Sequence, residues 1–506
     1  MEYILAHDVG TSGCKAVLYR LGASAASETL AASAYETYPT YYPQATYAEQ
    51  DVNDWWSGLV KSTRQVLDRS GAKPGEVLGI ALSTQMLNTI PVDGSGAPLR
   101  RCISWLDGRA WEEAEAVMRK LGGPALFSML VGAVITGKDL LPKYLWLKRH
   151  EPQVYARTAA FMDCSSYMLL RLTGMVVYEW SVASVTGLFN LKSKTWDTSL
   201  MRLFGLDAAK FPPLVRSIDR VGGLTNEAAT ELGLLEGTPV FGGAGDAMCT
   251  AVGSGAVGEN EAHLALGTSG YVGVITSRRV TGRRGIATIQ SADPERLLVA
   301  AECETVGACL KWAVKELYAL EPAGSAYAYL DDQVAQAPAG ANGLLFAPWL
   351  YGERCPVPDE SVRAAFINLS ASHTRAQMAR AVYEGVAYNF RWILELLKER
   401  YGFDCQPLRA VGGGARSLPW LRILADVCGR TLEKTPYDQE AAAVGAALIA
   451  AIGLGICPSF EAVKQRVPAL QSFAPAAEAE KVYTPLYQAF RRLYPSLREV
   501  FHELNR

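Results

Sequence analysis

Three glycine-rich turns and two aspartates carry the residue types that handle phosphate. Asp8 closes a short apolar run and is followed by Gly10-Thr11-Ser12-Gly13. The same tetrapeptide returns as Gly267-Thr268-Ser269-Gly270 after the apolar run 262–266. A third turn, Gly412-Gly413-Gly414-Ala415-Arg416-Ser417, follows the apolar run 408–411. Glycine lets backbone amides approach an anion closely, and small hydroxyls add donors. An acid at a strand end beside such a turn is well placed to hold hydrated Mg²⁺ near phosphates, and Lys15 adds positive charge or faces solvent. Asp246 follows Phe241-Gly242-Gly243-Ala244-Gly245 and opens a run of small residues. A carboxylate at such a loop-to-helix junction can take the proton of a hydroxyl nucleophile while the turns grip a phosphoryl group. The plainer readings are an ordinary tight turn for Asp8 and a helix N-cap for Asp246. The turns are not a Walker A loop, because the G-x-x-x-x-G-K-[ST] spacing is absent.

A second group suits a polyhydroxylated partner. Ser83-Thr84-Gln85-Met86 follows the apolar strand 77–82, and loops after strand ends are where α/β proteins keep their sites. Gln85 can both donate to and accept from sugar hydroxyls. Further on, Trp105-Leu106-Asp107-Gly108-Arg109 sets an acid and a guanidinium beside an indole, which fits a polar molecule with an apolar face. A surface ion pair is the alternative for Asp107 and Arg109.

These residues need strands and helices to position them. The run after Gly13 predicts a second strand, so Asp8 sits at the head of a hairpin. Asp51 is an expected N-cap, and Val52, Trp55, Trp56, Leu59 and Leu67 keep one helical face, which makes the tryptophans core rather than ligand stack. The segment 35–47, with five tyrosines and two prolines, reads as an extended or looping surface. Helices are expected at 140–149, in 159–172 after Asp163 as a possible N-cap, and at 302–318, 375–398, 418–428, 439–451 and 486–497.

At 506 residues the chain exceeds one hydrophobic core. A formal charge of -2 with no basic block argues against nucleic acid. Ten scattered cysteines without C-x-x-C read as free thiols in a reducing, cytoplasmic setting. No uninterrupted apolar run reaches membrane-spanning length.

Taken together, the pieces resemble the FGGY carbohydrate kinase family along nearly the whole chain. They are Asp8-Val-Gly-Thr-Ser-Gly-Cys-Lys15, Ala48-Glu-Gln-Asp51 before Trp55-Trp56, Ser83-Thr-Gln-Met86, Trp105-Leu-Asp-Gly-Arg109 and Leu172-Thr-Gly174. They continue with Gly237-Thr-Pro-Val240, Gly243-Ala-Gly-Asp246, Leu266-Gly-Thr-Ser-Gly270, Gly412-Gly-Gly-Ala-Arg-Ser417 and Gly445-Ala-Ala-Leu448. The resemblance implies an α/β, two-lobed fold of the actin and hexokinase type, with ribonuclease H-like lobes and a central interdomain cleft. The lobes are expected at 1–250, binding sugar, and 251–506, binding nucleotide, with Asp8 and Asp246 facing across the cleft. It implies ATP and Mg²⁺, with Asp246 as general base and Asp8, with Asp246, on the metal side. Gly10, Thr11, Ser12, Lys15, Gly267, Thr268, Gly413, Gly414 and Ser417 become nucleotide contacts, and Gln85, Met86, Trp105, Asp107, Arg109 and Asp246 sugar contacts. A sugar or polyol is the expected partner, with no nucleic acid or membrane, and a homodimer is left open.

Among the family's branches the likeness is greatest to xylulose kinases, which makes D-xylulose the first substrate to expect. Three positions depart from that branch: Leu87 replaces the usual histidine, Ala247 an asparagine, and Leu106 the asparagine of W-N-D-x-R. Each removes a polar partner, so ribulose, erythritol or a pentitol stay open, as does a sensor that binds ATP and sugar without catalysis. The arginine-glutamate pair expected of a glycerol kinase at 86–87 is missing.

Overall fold

The computed structural model describes residues 1–22, 28–123, 135–282 and 285–505. They form two compact α/β units. The first comprises Met1–Val257, Ile289–Leu298 and Glu440–Val467; the second comprises Gly258–Thr288, Val299–Gln439 and Pro468–Arg506. The division is therefore not one cut near residue 250: two later segments return to the first unit.

The first unit is built on β1 (Glu2–Val9), β2 (Gly13–Leu21), β3 (Thr29–Thr37) and β4 (Val77–Thr84), with β5 (Arg220–Gly223), β6 (Pro239–Phe241) and β7 (Ala244–Gly245). The sheet order is β5-β6-β4-β1-β2-β3, with β7 continuing alongside β4. β1 and β2 form the expected hairpin, whose turn is closed by Gly10 N–H donating to Gly13 O at 3.0 Å. β1 runs parallel to β4. Both are buried on both faces, which explains their unbroken apolar runs. β3 was not foreseen: the tyrosine-rich segment begins inside it, at Tyr35–Thr37.

Helix α1 (Val52–Ser70) covers this sheet. Asp51 caps it by accepting from Asn53 N–H at 2.9 Å, and Gly71 ends it in the left-handed conformation. Trp55 and Trp56 are core residues, as their spacing indicates. Within 159–172 helix α2 (Cys164–Thr173) starts after Asp163, the expected N-cap, which accepts from Ser166 N–H at 2.8 Å, and the residues before it form a short strand, Ala160–Met162. Next, α3 (Asp246–Ser254) packs against a helix from far along the chain, Ala441–Gly453.

The second unit repeats the plan. β8 (Ala262–Leu266) and β9 (Gly270–Thr276) form a hairpin, and β10 (Ile286–Gln290), β11 (Leu297–Cys303), β12 (Leu408–Val411), β13 (Leu432–Lys434) and β14 (Gln471–Phe473) complete the order β10-β11-β9-β8-β12-β13-β14. β12 runs parallel to β8 as β4 does to β1. Helices α4 (Gly307–Trp312), α5 (Gly324–Gln336), α6 (Arg375–Tyr401), α7 (Leu418–Cys428), the Ala441–Gly453 helix as α8 and α9 (Ala479–Leu504) follow in order, with α8 alone returning to the first unit. The expected helix 302–318 is β11 for its first two residues. Thr305 then bonds Pro348 O, and the chain turns before α4 begins.

Candidate active site

Asp246 stands where three strand ends meet. Asp8 on β1 is level with Ser83 on β4, and Ser83 is level with Ala244 on β7. At roughly 4.8 Å per strand, Asp8 and the residues leading into Asp246 are about 10 Å apart along one sheet edge. The two aspartates thus belong to one unit, at the edge of one sheet, which corrects the expectation that they face each other across the cleft between the lobes. Their juxtaposition obeys the rule that parallel sheets bind ligands beyond the carboxyl ends of their strands.

The glycines before Asp246 are required by this geometry. Val240 pairs with Ile80 but Ala244 pairs with Ser83, so four residues on one side span three on the other. The extra residue is accommodated by a kink at Gly243, φ +67°, where a Cβ would lie 2.0 Å from Leu82 O. Beyond it, Gly245 N–H donates to Ser181 Oγ at 3.0 Å, and Ser181 donates to Glu179. Asp246 Oδ1 accepts from Ala247 N–H at 2.7 Å. The residue is half-buried, so a substrate hydroxyl can reach it.

Asp8 accepts from Ser83 Oγ at 2.8 Å and lies opposite Lys15 across the hairpin. Burial pushes its carboxyl above the usual range, while Ser83 and Lys15 hold it down. Asp8 nevertheless keeps an accessible face, and a divalent cation there would stabilise the charged form. The donor set fits Mg²⁺ as far as it goes: one hard oxygen ligand, the rest of the shell being phosphate and water in the usual manner. Lys15 also approaches Glu440 at 3.9 Å.

Around this edge the expected sugar contacts separate into two kinds. Gln85 donates Nε2 to Gln50 Oε1 at 2.9 Å, and its own Oε1 is buried with no protein donor. An acceptor left this way costs free energy unless a ligand hydroxyl completes it. Met86 lies against Gly245, where a Cβ would fall 2.4 Å from its sulfur. Trp105 donates Nε1 to Thr11 Oγ1 at 2.8 Å and remains partly accessible, as do Leu87, Leu106 and Ala247. Asp107 and Arg109 differ. Their side chains are 0% and 1% exposed and pair with each other at 2.7 Å. Asp107 also accepts from Ala48 N–H, and Arg109 lies over the Tyr47 ring. They shape the Trp105 loop from inside rather than offering groups to a substrate.

Residues that the sequence did not single out organise these contacts. Gln50 accepts from Gln85 and Trp55 and donates to Thr11 O at 2.7 Å and Thr40 Oγ1 at 3.0 Å. Glu179 and Ser181 brace the Asp246 loop. Burial pushes the Glu179 carboxyl up to about 8, against the bonds from Ser181 and Val182. The folded state therefore holds a proton that the unfolded chain, with an ordinary carboxyl near 4.5, releases. Glu179 stabilises the fold below that pH, and the contribution is lost as pH rises towards about 8, at up to about 1.4 kcal/mol per pH unit. The thermal midpoint of Glu179→Gln is expected to vary less between pH 5 and 8 than that of the parent; equal slopes would remove Glu179 as the source.

The second unit holds a cavity of about 700 Å³. Gly267, Thr268, Gly413, Gly414 and Ser417 all line it, with Arg416 of the same turn and with Lys311, Tyr327, Asp331 and Tyr383, which the sequence did not flag. Its walls come close to backbone. Gly412, φ +92°, would set a Cβ 2.8 Å from Leu266 O, and Gly307 would set one 2.6 Å from Gly267 O. Ser417 caps α7 by accepting from Trp420 N–H and donates to Asp331 at 2.7 Å. A glycine cradle ending at a helix N-terminus suits phosphate, and lysine and arginine add charge, so the cavity fits a nucleotide. Gly10, Thr11, Ser12 and Lys15 belong to the first unit and are not part of this cavity.

The comparisons with known proteins bear on this pair of sites. Residues 3–253 match the N-terminal domain of the FGGY family of carbohydrate kinases, and residues 262–454 match its C-terminal domain. The chain belongs to the FGGY family of carbohydrate kinases. Its fold is the family's two-domain α/β fold of the actin and hexokinase type, and its activity is ATP-dependent phosphorylation of a carbohydrate. A xylulose kinase of Staphylococcus epidermidis is 30% identical over 506 residues, covering 99% of this chain and 98% of the relative. A gluconokinase of Bacillus subtilis is 27% identical over 499 residues, covering 97% and 95%. The crystal structure of xylulose kinase from Rhodospirillum rubrum superposes with a TM-score of 0.88 at 30% identity, covering 99% of this chain and 100% of that one. FGGY kinases use ATP and Mg²⁺. Among the described residues no helix is long and apolar enough to cross a membrane.

Proposed function

We propose that this FGGY kinase transfers the γ-phosphoryl group of ATP to a hydroxyl of a ketopentose, with D-xylulose the first candidate and Asp246 the general base. The carrying observation is that the half-buried Asp246 and Gln85, whose Oε1 is a buried acceptor awaiting a donor, each directly follow the paired strand-end residues Gly245 and Thr84. The sugar binds at the strand ends of the first unit and the nucleotide in the glycine-lined cavity of the second, in a cytoplasmic enzyme. Asp246 takes the proton of the attacking hydroxyl as its oxygen bonds to phosphorus and the bond to ADP breaks. Asp8 would hold Mg²⁺, whose charge would be neutralising at the phosphate oxygens. Turnover requires the two binding sets to meet around the γ-phosphoryl group.

The xylulose kinases similar to the chain support D-xylulose. Leu87, Leu106 and Ala247 favour a second reading, because a site that lacks polar partners buries hydroxyls without compensation. A ketose or polyol with fewer hydroxyls to satisfy, such as an erythritol, then competes with xylulose and ribulose. The test is ATP-coupled phosphorylation of ketopentoses, pentitols, tetritols, gluconate and glycerol. D-xylulose is expected to lead in kcat/KM, with related ketoses sharing the site. A tenfold better alternative would overturn the substrate and leave the kinase intact. Failure of every compound with intact ATP binding would point to a sensor.

A further inference from the structure

One buried cation joins the two loops that carry the sugar-side residues. Lys143 lies in the helix Leu140–His150, with its side chain wholly inside the protein. Its Nζ donates to Leu87 O at 3.0 Å and to Ser104 O at 2.8 Å. The first carbonyl follows Gln85 and Met86 directly; the second directly precedes Trp105 and Leu106. The loops also meet through backbone bonds between Thr89 and Ile103 and a long Cys102 Sγ contact to Asn88 Oδ1, both on the side away from Met86. Leu87 itself is held at φ +61°, which a leucine rarely adopts and which persists only where surroundings enforce it. Burial lowers the Lys143 pKa to about 8 while Asp107 opposes the shift, so the group is still a cation at neutral pH. Charged donors make the stronger hydrogen bonds, and these two fix backbone rather than side chains.

We propose that Lys143 is the positioning residue that sets the sugar pocket, holding the Gln85–Leu87 turn and the Trp105 loop at the spacing the acceptor sugar requires. This rests on the placement of the sugar in the first unit argued above. Lys143 touches no reacting atom in this scheme; it acts through Leu87 and Ser104. Its loss should therefore act on sugar binding and leave nucleotide binding alone, because no nucleotide-cavity residue lies on either loop.

The experiment compares the full-length enzyme with Lys143→Met, similar in volume but without donors, and Lys143→Arg, which restores a forked cation. The probe is D-xylulose, or the compound that leads the panel should D-xylulose fail. For Lys143→Met the sugar KM is expected to rise by about 10- to 100-fold, with ATP KM within twofold of the parent and kcat lowered less than tenfold. Lys143→Arg should recover part of the sugar KM. Hydrogen exchange without any sugar supplies the second measurement: amides at 85–88 and 104–108 should exchange faster in Lys143→Met, with the 307–336 region unchanged. That readout stands whatever the substrate proves to be. Sugar and ATP KM rising together, an unchanged sugar KM, or exchange accelerating across both units would each overturn the proposal. If Lys143→Met does not fold, Lys143→Gln, which keeps an amide donor group but is shorter and uncharged, takes its place under the same criteria.

Discussion

Asp246→Asn is expected to lower kcat by about 10²- to 10⁴-fold while sugar and ATP still bind, the range that follows from removing a positioned general base. Asparagine keeps the size of the side chain and an oxygen for the Ala247 amide, but it has no basic site for the hydroxyl proton. α3 starts from the Gly245 backbone without a side-chain cap, contrary to the N-cap reading of Asp246, so a collapse of the helix is not the cause of any loss. Calorimetric titration with sugar and, separately, with nucleotide checks binding; steady-state rates check turnover. Near-parental turnover would take Asp246 out of the proton-transfer role and leave it as the first residue of α3 alone.

Gly445→Val is expected to abolish the folded enzyme or lower its thermal midpoint by more than about 10 °C. A Cβ at Gly445 on α8 would fall 1.8 Å from Cys249 O on α3, and one at Gly253 on α3 would fall 1.8 Å from Ala441 O. The two helices touch backbone to backbone through these reciprocal glycines. Overpacking usually costs about 1–3 kcal/mol, but here the neighbour is main chain and cannot rotate away, so the cost exceeds that range. A domain of this size loses about 2–4 °C per kcal/mol. Gly71→Ala is the control: Gly71 is left-handed with nothing within 4 Å of a Cβ, and a shift of only a few degrees is expected. Equal shifts in the two variants would mean that the α3–α8 contact gives way more easily than its geometry implies. Because α3 begins at Asp246, a milder Gly445→Ala should lose activity before it loses the fold.

Much of the site was readable before any coordinates. The hairpins after Asp8 and in 262–276 follow from apolar runs broken by identical glycine turns, a local signal that tertiary context does not override. The five residues of the second unit that line one cavity came from the same logic. Asp246 was found because its glycines have no other local purpose. What escaped notice depends on distance in the chain. Gln50, Lys143 and Glu179 are single polar residues whose roles exist only once remote loops arrive beside them. Asp107 and Arg109 looked like ligands for the converse reason: an ion pair two residues apart shows in sequence, but its enclosure by Tyr47 and Trp146 does not. The strand Ala160–Met162, just ahead of the Asp163 cap, went unread because three apolar residues have no period of their own.

The return of α8 to the first unit has a consequence for synthesis. That helix rests on β1, β4 and α3, which leave the ribosome far ahead of it. Until residue 453 has emerged, the nascent chain carries this face of its first sheet without its own cover, while the sequence of the second unit is being made. The N-terminal half cannot finish folding first and then wait. A fragment ending at Val257 should be a client for chaperones rather than a separable domain, and a genetic split between the two units would have to supply 440–467 to the N-terminal piece.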